Sequence, residues 1–159
     1  DIAHIAQEVL EEYKELAKKK NIQLKLQNKS GLENLLICTD ERRTRVVFDN
    51  LIRNALAYTP EGGHIEMVLE NDEQKNIKAC IKDNGIGIPE SEQYRIFERF
   101  FRASNGKKNI VNGTGLGLYL TKNIVEQSGG KIWFRSIEDS GSMFCVSFPF
   151  IDKCQKYGE

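Results

Sequence analysis

The hydrophobic positions follow two different periods along the chain. Apolar side chains recur every three or four residues in some segments, which predicts helices with one buried face. In other segments they alternate with polar residues or form short apolar runs, which predicts strands. The predicted helices cover residues 2–20, 41–58, 90–101 and 115–128, and the predicted strands cover residues 22–26, 35–38, 64–70, 76–82, 131–137 and 142–149.

The order of these segments predicts the fold class. Helices and strands are interspersed, and the later strands come in pairs joined by short turns. We therefore expect an α+β fold, a two-layer sandwich in which helices cover one face of a mixed, mostly antiparallel sheet. Residues 102–113 are polar and show no period, so we expect a long loop there that is mobile or functional.

Length and charge limit the possible functions. A chain of 159 residues suits one domain, placed at residues 1–151, with a polar tail at 152–159. Basic and acidic residues number 23 each, which argues against a nucleic-acid binder. No apolar run is long enough to cross a bilayer, so we expect no direct membrane contact. The chain starts within a predicted helix and without Met, so we expect a fragment of a longer protein whose other part can include a membrane segment.

The four cysteines are too far apart in sequence for the paired spacing of a zinc site. Cys38, Cys80 and Cys145 lie in apolar, strand-like runs, and Cys154 lies in the polar tail. We interpret the first three as reduced, buried thiols of a cytoplasmic protein and the fourth as exposed.

An aspartate followed by two glycines ends the strand predicted at 76–82, in the segment Asp83-Asn84-Gly85-Ile86-Gly87-Ile88. A buried carboxylate accepts a hydrogen bond from the exocyclic amine of adenine and repels the carbonyl oxygen of guanine. Glycines let the backbone approach a base closely. The alternative is an ordinary turn, because Asp-Asn-Gly is common turn chemistry.

A second glycine segment, Gly113-Thr114-Gly115-Leu116-Gly117-Leu118, runs straight into an apolar helix. The backbone N–H groups at a helix start favour phosphate, and glycines permit its close approach. The segment lacks the Gly-Lys-Ser/Thr of a Walker loop, and it follows a polar loop rather than the strand of a dinucleotide fingerprint. A flexible hinge before a helix is the alternative interpretation.

Two further segments carry candidate chemistry. Asn50 and Asn54 share one face of a predicted helix, where their amide oxygens suit magnesium that keeps waters and phosphates as its other ligands. The alternative is a pair of solvated or capping asparagines.

Downstream, Phe97-Glu98-Arg99-Phe100-Phe101-Arg102 mixes aromatic rings with cations that can reach a triphosphate, and Lys107 adds charge to the following loop. A core-facing helix with solvated arginines is the alternative there.

In order along the chain, these segments resemble the catalytic ATP-binding domain of sensor histidine kinases. This group shares the Bergerat nucleotide fold with gyrase, heat-shock chaperone and mismatch-repair ATPases. The segment 50–60 resembles the asparagine box, 83–88 the first glycine box, 96–102 the phenylalanine box and 113–118 the second glycine box. Gly141-Ser142-Met143-Phe144 is similar to the closing hairpin of the family, and the whole resemblance spans about residues 1–150.

The resemblance implies a sheet of about five strands backed by three helices, with ATP and Mg²⁺ as cofactors and a lid at about 90–115. Asn54 is then the main magnesium ligand and Asn50 assists it, while Asp83 holds the adenine amine. Arg99 contacts the γ-phosphate, so Asn50, Asn54 and Arg99 are the predicted catalytic residues. The other predicted nucleotide contacts are Tyr58, Gly85, Gly87, Ile88, Arg102, Lys107, Gly113, Thr114, Gly115, Leu116, Gly117 and Leu118.

The chain departs from the family pattern at one position. The family often has Lys or Arg immediately before the tyrosine of the asparagine box, where this chain has Ala57. Two alternatives follow: a phosphate contact is lost, or it is taken over by Arg53, Arg102 or Lys107.

The ATPase relatives usually carry Glu where this chain has Asn50, and an asparagine cannot activate water as a general base. Transfer to another nucleophile is therefore favoured over hydrolysis. The acceptor of the family is a histidine on a two-helix dimerisation domain, and neither His4 nor His64 has its sequence context. We predict a protein histidine kinase domain that binds ATP without phosphorylating itself.

The partners implied by the resemblance are the histidine-bearing dimerisation domain of the parent protein and the receiver domain of a response regulator in a two-component system. Two other classes stay open. One is a related serine kinase of the anti-sigma type, which the phenylalanine box and Tyr58-Thr59-Pro60 disfavour. The other is a nucleotide-sensing module without transfer activity.

Overall fold

The computed structural model describes residues 1–31, 35–37, 39–71, 76–109 and 113–150, and for 107–109 it describes the backbone alone. The helices are α1 (Ile2–Lys19), α2 (Glu41–Tyr58), α3 (Ser104–Asn109) and α4 (Gly117–Gln127), with a 3₁₀-helix at Glu90–Arg95. The strands are β1 (Gln23–Asn28), β2 (His64–Asn71), β3 (Asn76–Asp83), β4 (Lys131–Ile137) and β5 (Gly141–Pro149).

Both long helices begin at an aspartate that caps free backbone amides. The side chain of Asp1 accepts from the amides at the start of α1, and Asp40 does the same for Arg42 and Arg43 at the start of α2. Such a cap satisfies donors that have no partner within the helix. The predicted start of α2 at residue 41 is therefore confirmed.

The five strands form one sheet in the order β1-β2-β3-β5-β4. β1 and β2 are parallel, and every other neighbouring pair is antiparallel. The parallel pair requires a crossover, which α2 supplies between β1 and β2. β5 lies between β3 and β4, although it is the last of the five in sequence.

The core lies between one face of this sheet and the helices α1, α2 and α4. On β3, alternate residues point to that face and are buried, as are alternate residues of β5. The largest fully buried side chains include Phe48 and Leu51 of α2 and Phe148 of β5. The predicted two-layer α+β fold with a mixed, mostly antiparallel sheet is confirmed. None of the described helices is both long and apolar enough to cross a membrane.

Three local predictions were wrong. Residues 35–37 form no strand, and Ile37 makes one isolated bridge to Phe150. The α-helix predicted at 90–101 is a 3₁₀-helix that ends at Arg95, and the backbone at Phe100 is left-handed with φ +63°. A non-glycine residue in that conformation cannot continue a right-handed helix. Within the predicted loop 102–113, residues 104–109 form the short helix α3.

The prediction of reduced thiols was wrong for Cys80 and Cys145. These residues face each other in the register of β3 and β5, and a disulfide joins their sulfur atoms. Both side chains are buried, as predicted, but on the sheet face that points away from the helices. Their sequence separation of 65 hides the pairing, because it depends on strand register. Cys38, Cys154 and the tail at 152–159 lie outside the described residues.

Candidate functional site

A cavity of about 500 Å³ lies between α2, the end of β3 and the segments on either side of α3. This volume is in the range of pockets that hold a nucleotide-sized ligand. The cavity joins residues that range along the chain from Leu51 to Phe144, because β3, α2 and the start of α4 meet at one end of the sheet. The predicted site residues that line it are Asn54, Tyr58, Asp83, Gly87, Ile88, Arg102, Gly113, Thr114, Gly115, Gly117 and Leu118.

Asp83 is the last residue of β3 and is 8% exposed. Its Oδ1 accepts hydrogen bonds from the amide of Gly85 at 2.9 Å and from the amide of Ser142 at 3.2 Å. Burial raises the pKa of Asp83 above its ordinary value, and these two hydrogen bonds partly oppose that rise. No described residue donates to Oδ2, so this oxygen is the one that can accept from a ligand amine.

The first glycine turn packs closely against other backbone segments. A Cβ on Gly85 would lie 2.5 Å from the carbonyl oxygen of Tyr58, and one on Gly87 would lie 2.0 Å from the carbonyl oxygen of Ile137. Gly87 also has a φ of +62°, which L side chains rarely adopt. The prediction that these glycines let the backbone approach an adenine base remains untested. The structure gives a separate reason for glycine at both positions, because a Cβ would collide with neighbouring backbone atoms.

Asn54 lines the cavity from α2, and Asn50 lies one turn earlier on the same helix. Asn50 is 7% exposed, and its Nδ2 has no hydrogen-bond partner among the described residues. Its Oδ1 lies 3.4 Å from the position that a Cβ on Gly117 would occupy, so it faces the start of α4. A buried amide with an unsatisfied atom is costly, which favours a ligand at this place.

These asparagines suit magnesium better than a transition metal. Amide oxygens are hard ligands of the kind Mg²⁺ accepts while it keeps waters and phosphate oxygens. The described residues include no group of three His, Cys, Asp or Glu side chains that could form a cage for a metal. The donor set therefore fits a metal that arrives with a phosphate-bearing ligand.

The second glycine segment leads into the N-terminus of α4. Leu116 precedes this helix, and no described side chain caps its first amides. Amides left free at a helix start form a binding site for phosphate. Gly115, with a φ of +70°, accepts a hydrogen bond from the amide of Phe100 at 3.0 Å, which ties this segment to the phenylalanine box.

The cations predicted from the phenylalanine box have different environments. The guanidinium of Arg102 donates to the carbonyl oxygens of Gly113 at 3.1 Å and Gly106 at 3.4 Å, at the cavity edge. Arg99 is not among the described residues that line the cavity, and its guanidinium lies 4.9 Å from the centre of the Phe100 ring. Its contact with a γ-phosphate stays a prediction, and the side chain of Lys107 lies outside the described residues. Gly85, Asn50 and Leu116 adjoin the cavity without lining it.

The cavity also contains residues that sequence reasoning missed. Asn105 of α3 donates to the carbonyl oxygen of Gly87 at 3.1 Å, and Gly106 lies close to the ring of Tyr58. Ser142 reaches Asp83 from the closing hairpin. Arg53, already a candidate phosphate contact from the sequence, lines the cavity from α2. A search for polar residues beside the recognised boxes could have found Asn105. The contact of Ser142 requires the register of β3 with β5.

Comparison with known proteins identifies this arrangement. The sequence model of the histidine kinase-, DNA gyrase B- and HSP90-like ATPases matches residues 39–152, which include all the boxes described above. The chain belongs to this family. The prediction from the four boxes that the chain is an ATP-binding domain of this family is thereby confirmed.

Within this family, the chain is similar in sequence to sensor kinases. The chain is 38% identical over 118 residues to the sensor histidine kinase WalK of Bacillus subtilis (strain 168), a match that covers 74% of this chain and 19% of WalK. It is 36% identical to the adaptive-response sensory kinase SasA of Prochlorococcus marinus (strain MIT 9313), over 94% of this chain and 40% of SasA. The chain thus spans well under half the length of these relatives.

Solved structures agree with this placement. The catalytic domain of the histidine kinase ThkA superposes with a TM-score of 0.80 at 29% identity, covering 94% of this chain and 95% of that one. ThkA in complex with the response regulator protein TrrA superposes with a TM-score of 0.77 at 27% identity, covering 97% of this chain and 42% of that one. The chain therefore has the fold of a histidine kinase catalytic domain.

Proposed function

We propose that this chain binds Mg-ATP and passes the γ-phosphoryl group to a histidine on a separate helical dimerisation domain of its parent protein. The observation that carries this proposal is the convergence on one cavity of Asp83, Asn54 and the uncapped start of α4. They supply an acceptor for the adenine amine, an amide oxygen for magnesium, and amides for phosphates.

Each end of the cavity has its own part in binding. Asp83 is fixed by the amides of Gly85 and Ser142 through its Oδ1, which leaves Oδ2 to accept from the adenine amine and so to select adenine over guanine. Asn54 and Asn50 would hold Mg²⁺, which supplies charge neutralisation at the phosphates when it is bound. The residues of the chain then act by positioning the nucleotide rather than by forming a covalent bond to it.

The lack of a carboxylate from α2 among the described lining residues favours phosphoryl transfer over hydrolysis of ATP. Asp83 is the only carboxylate among the described residues that line the cavity, and it belongs to the first glycine turn rather than to the helix that carries the asparagines. A water molecule beside the phosphates would therefore lack a carboxylate base, which Asn50 cannot replace. A histidine nucleophile carries its own lone pair and does not need that base.

The acceptor histidine is not expected within the described residues. His4 is exposed on α1 and pairs with Glu8, and His64 is exposed at the start of β2. Neither lines the cavity. Exposed apolar side chains near the second glycine segment support docking of a helical domain: Phe100, which donates to Gly115, is 62% exposed, and Tyr119 and Leu120 of α4 are 38% and 45% exposed.

The proposed partners follow from the same function. The dimerisation domain supplies the acceptor histidine, and the receiver domain of a response regulator takes the phosphoryl group from it. ThkA, a structural neighbour, is known in complex with such a regulator. We place this activity in the cytoplasm, where ATP is available.

The experiment is a transfer assay with γ-labelled ATP, the chain and a separately prepared dimerisation domain of the parent protein. We expect acid-labile label on the dimerisation domain, none on the chain alone, and none when the acceptor histidine is replaced by Gln. Binding of ATP without labelled domain would favour a nucleotide-sensing module. Release of free phosphate from ATP at a rate comparable to the labelling of the dimerisation domain would favour an ATPase.

A further inference from the structure

Arg53 lines the cavity from α2, immediately before Asn54. Among the described lining residues, the cationic side chains are Arg53 and Arg102. Arg102 already donates to the backbone of Gly106 and Gly113, so its guanidinium is engaged in holding the cavity edge. Arg53 is therefore the cation placed to meet a ligand from the helix that carries the asparagines.

The guanidinium of Arg53 is held by a short chain of polar contacts. Its Nη1 lies 4.0 Å from Oδ2 of Asp49, one turn earlier on α2. The hydroxyl of Tyr13, on α1, donates to the other oxygen of Asp49 at 2.5 Å. Burial, together with this hydrogen bond, raises the pKa of Tyr13 to about 12, so the hydroxyl keeps its proton and remains a donor.

The contact between Arg53 and Asp49 is long and weak, so the guanidinium can stay beside Asp49 and still donate to a ligand. The Arg53 side chain is 63% exposed, and the pair with Asp49 lies at the limit of an ion pair. An exposed pair of this kind contributes little to stability. A triphosphate beside Asn54 offers the guanidinium a stronger, charge-assisted hydrogen bond. The small side chain of Ala57, one turn further along the same face, leaves room for the longer arginine.

We propose that Arg53 is a phosphate ligand of the bound nucleotide, and that Asp49 and Tyr13 are positioning residues that hold its guanidinium at the cavity. This inference rests on the proposed function, because it assigns a contact within the same nucleotide site. It also gives α1 a part in nucleotide binding, since Tyr13 reaches the site only through Asp49.

The first test compares adenosine with ATP, the former by NMR titration and the latter by calorimetry. We expect Arg53→Ala to weaken ATP binding about tenfold, the effect of losing one hydrogen bond to a charged group, while adenosine affinity stays the same. The loss should appear both in magnesium and in chelator, because the contact is to phosphate rather than to the metal. Arg53→Lys should retain part of the ATP affinity.

The matched control is Arg42→Ala, because Arg42 is an exposed arginine in the first turn of the same helix and does not line the cavity. Equal losses for adenosine and ATP, or an unchanged ATP affinity in Arg53→Ala, would overturn the proposal. Failure of the proposed function looks different. In that case the unaltered chain shows no magnesium-dependent ATP binding.

The second test addresses Tyr13. We expect Tyr13→Phe to weaken ATP binding about threefold and to have no further effect in the Arg53→Ala background, as for residues that act through each other. Adenosine affinity should not change in either variant. Additive losses, or a loss that extends to adenosine, would show that Tyr13 contributes only to packing between α1 and α2.

Discussion

The backbone amide of Ser142 donates a hydrogen bond to the carboxylate of Asp83 at 3.2 Å, across 59 residues of sequence. The same oxygen accepts from Gly85, two residues away. One carboxylate oxygen is thus committed to the protein, and the other is left for a ligand. The orientation of Asp83 and its predicted selection of adenine both depend on these different roles of the two oxygens.

The first prediction concerns Asp83→Asn. The amide oxygen of the variant can accept from Gly85 and Ser142, which directs its NH₂ group toward the adenine amine. Two donors then face each other, so we expect ATP affinity to fall about a hundredfold or more with the fold intact. Calorimetric titration measures the affinity, and circular dichroism checks the fold. Retained ATP affinity would remove Asp83 from the adenine site.

The second prediction concerns the pH dependence of stability. Burial raises the pKa of Asp83 above its unfolded value, so the charged form is disfavoured in the folded state. The contribution of Asp83 to the free energy of unfolding is therefore fully present below the unfolded pKa and is lost as pH rises through the folded pKa. We expect Asp83→Asn to be more stable than the unaltered chain at neutral pH.

This gain should shrink as the solution is acidified and disappear once Asp83 is protonated in both folded and unfolded states. Urea unfolding of both chains at several pH values measures the difference. A gain that is independent of pH would mean that the charge of Asp83 is not its cause.

The third prediction concerns Asn54. If its amide oxygen binds magnesium, Asn54→Ala should weaken ATP binding about tenfold in magnesium and leave binding in chelator unchanged. Asn123→Ala is the matched control, because Asn123 donates to a carbonyl within α4 and does not line the cavity. Equal losses in magnesium and in chelator would argue for a direct contact with the nucleotide instead.

The fourth prediction concerns the disulfide between Cys80 and Cys145. Because it closes a long stretch of chain, reduction should lower the free energy of unfolding by about 2–4 kcal/mol. ATP affinity should change little, since the backbone ladder of β3 and β5 extends to Asp83 and Ser142 without it. Chemical unfolding with and without reductant measures the effect. The variant with both cysteines replaced by Ala should no longer respond to reductant.

The regular parts of the fold could be predicted from the sequence because local signals agree there. Asp40 and Pro60 bracket α2, and the helix is observed at the predicted residues 41–58. The hairpin of β4 and β5 was predicted within one residue at each end. The parallel position of β1 beside β2 carries no local signal, so the expectation of a mixed sheet does not specify it.

The segment around the phenylalanine box was not predictable in the same way. Its aromatic spacing favours a helix, but Phe100 adopts a left-handed backbone and donates to Gly115. That hydrogen bond depends on where α4 lies in the fold, and a local sequence pattern carries no information about that position. For the same reason the sequence could name Asp83 as a site residue without revealing Ser142, and it could place both cysteines in strands without pairing them.

The position of β5 has a consequence for the biosynthesis of the protein. β5 is the last of the five strands to be made, yet it lies between β3 and β4 in the sheet. Until residues 141–149 have left the ribosome, β3 has an unpaired edge and Asp83 lacks the amide of Ser142. A nascent chain that stops before this strand therefore cannot complete the five-stranded sheet or the cavity, which Ser142 and Phe144 of β5 help to line, however complete its asparagine and glycine boxes are.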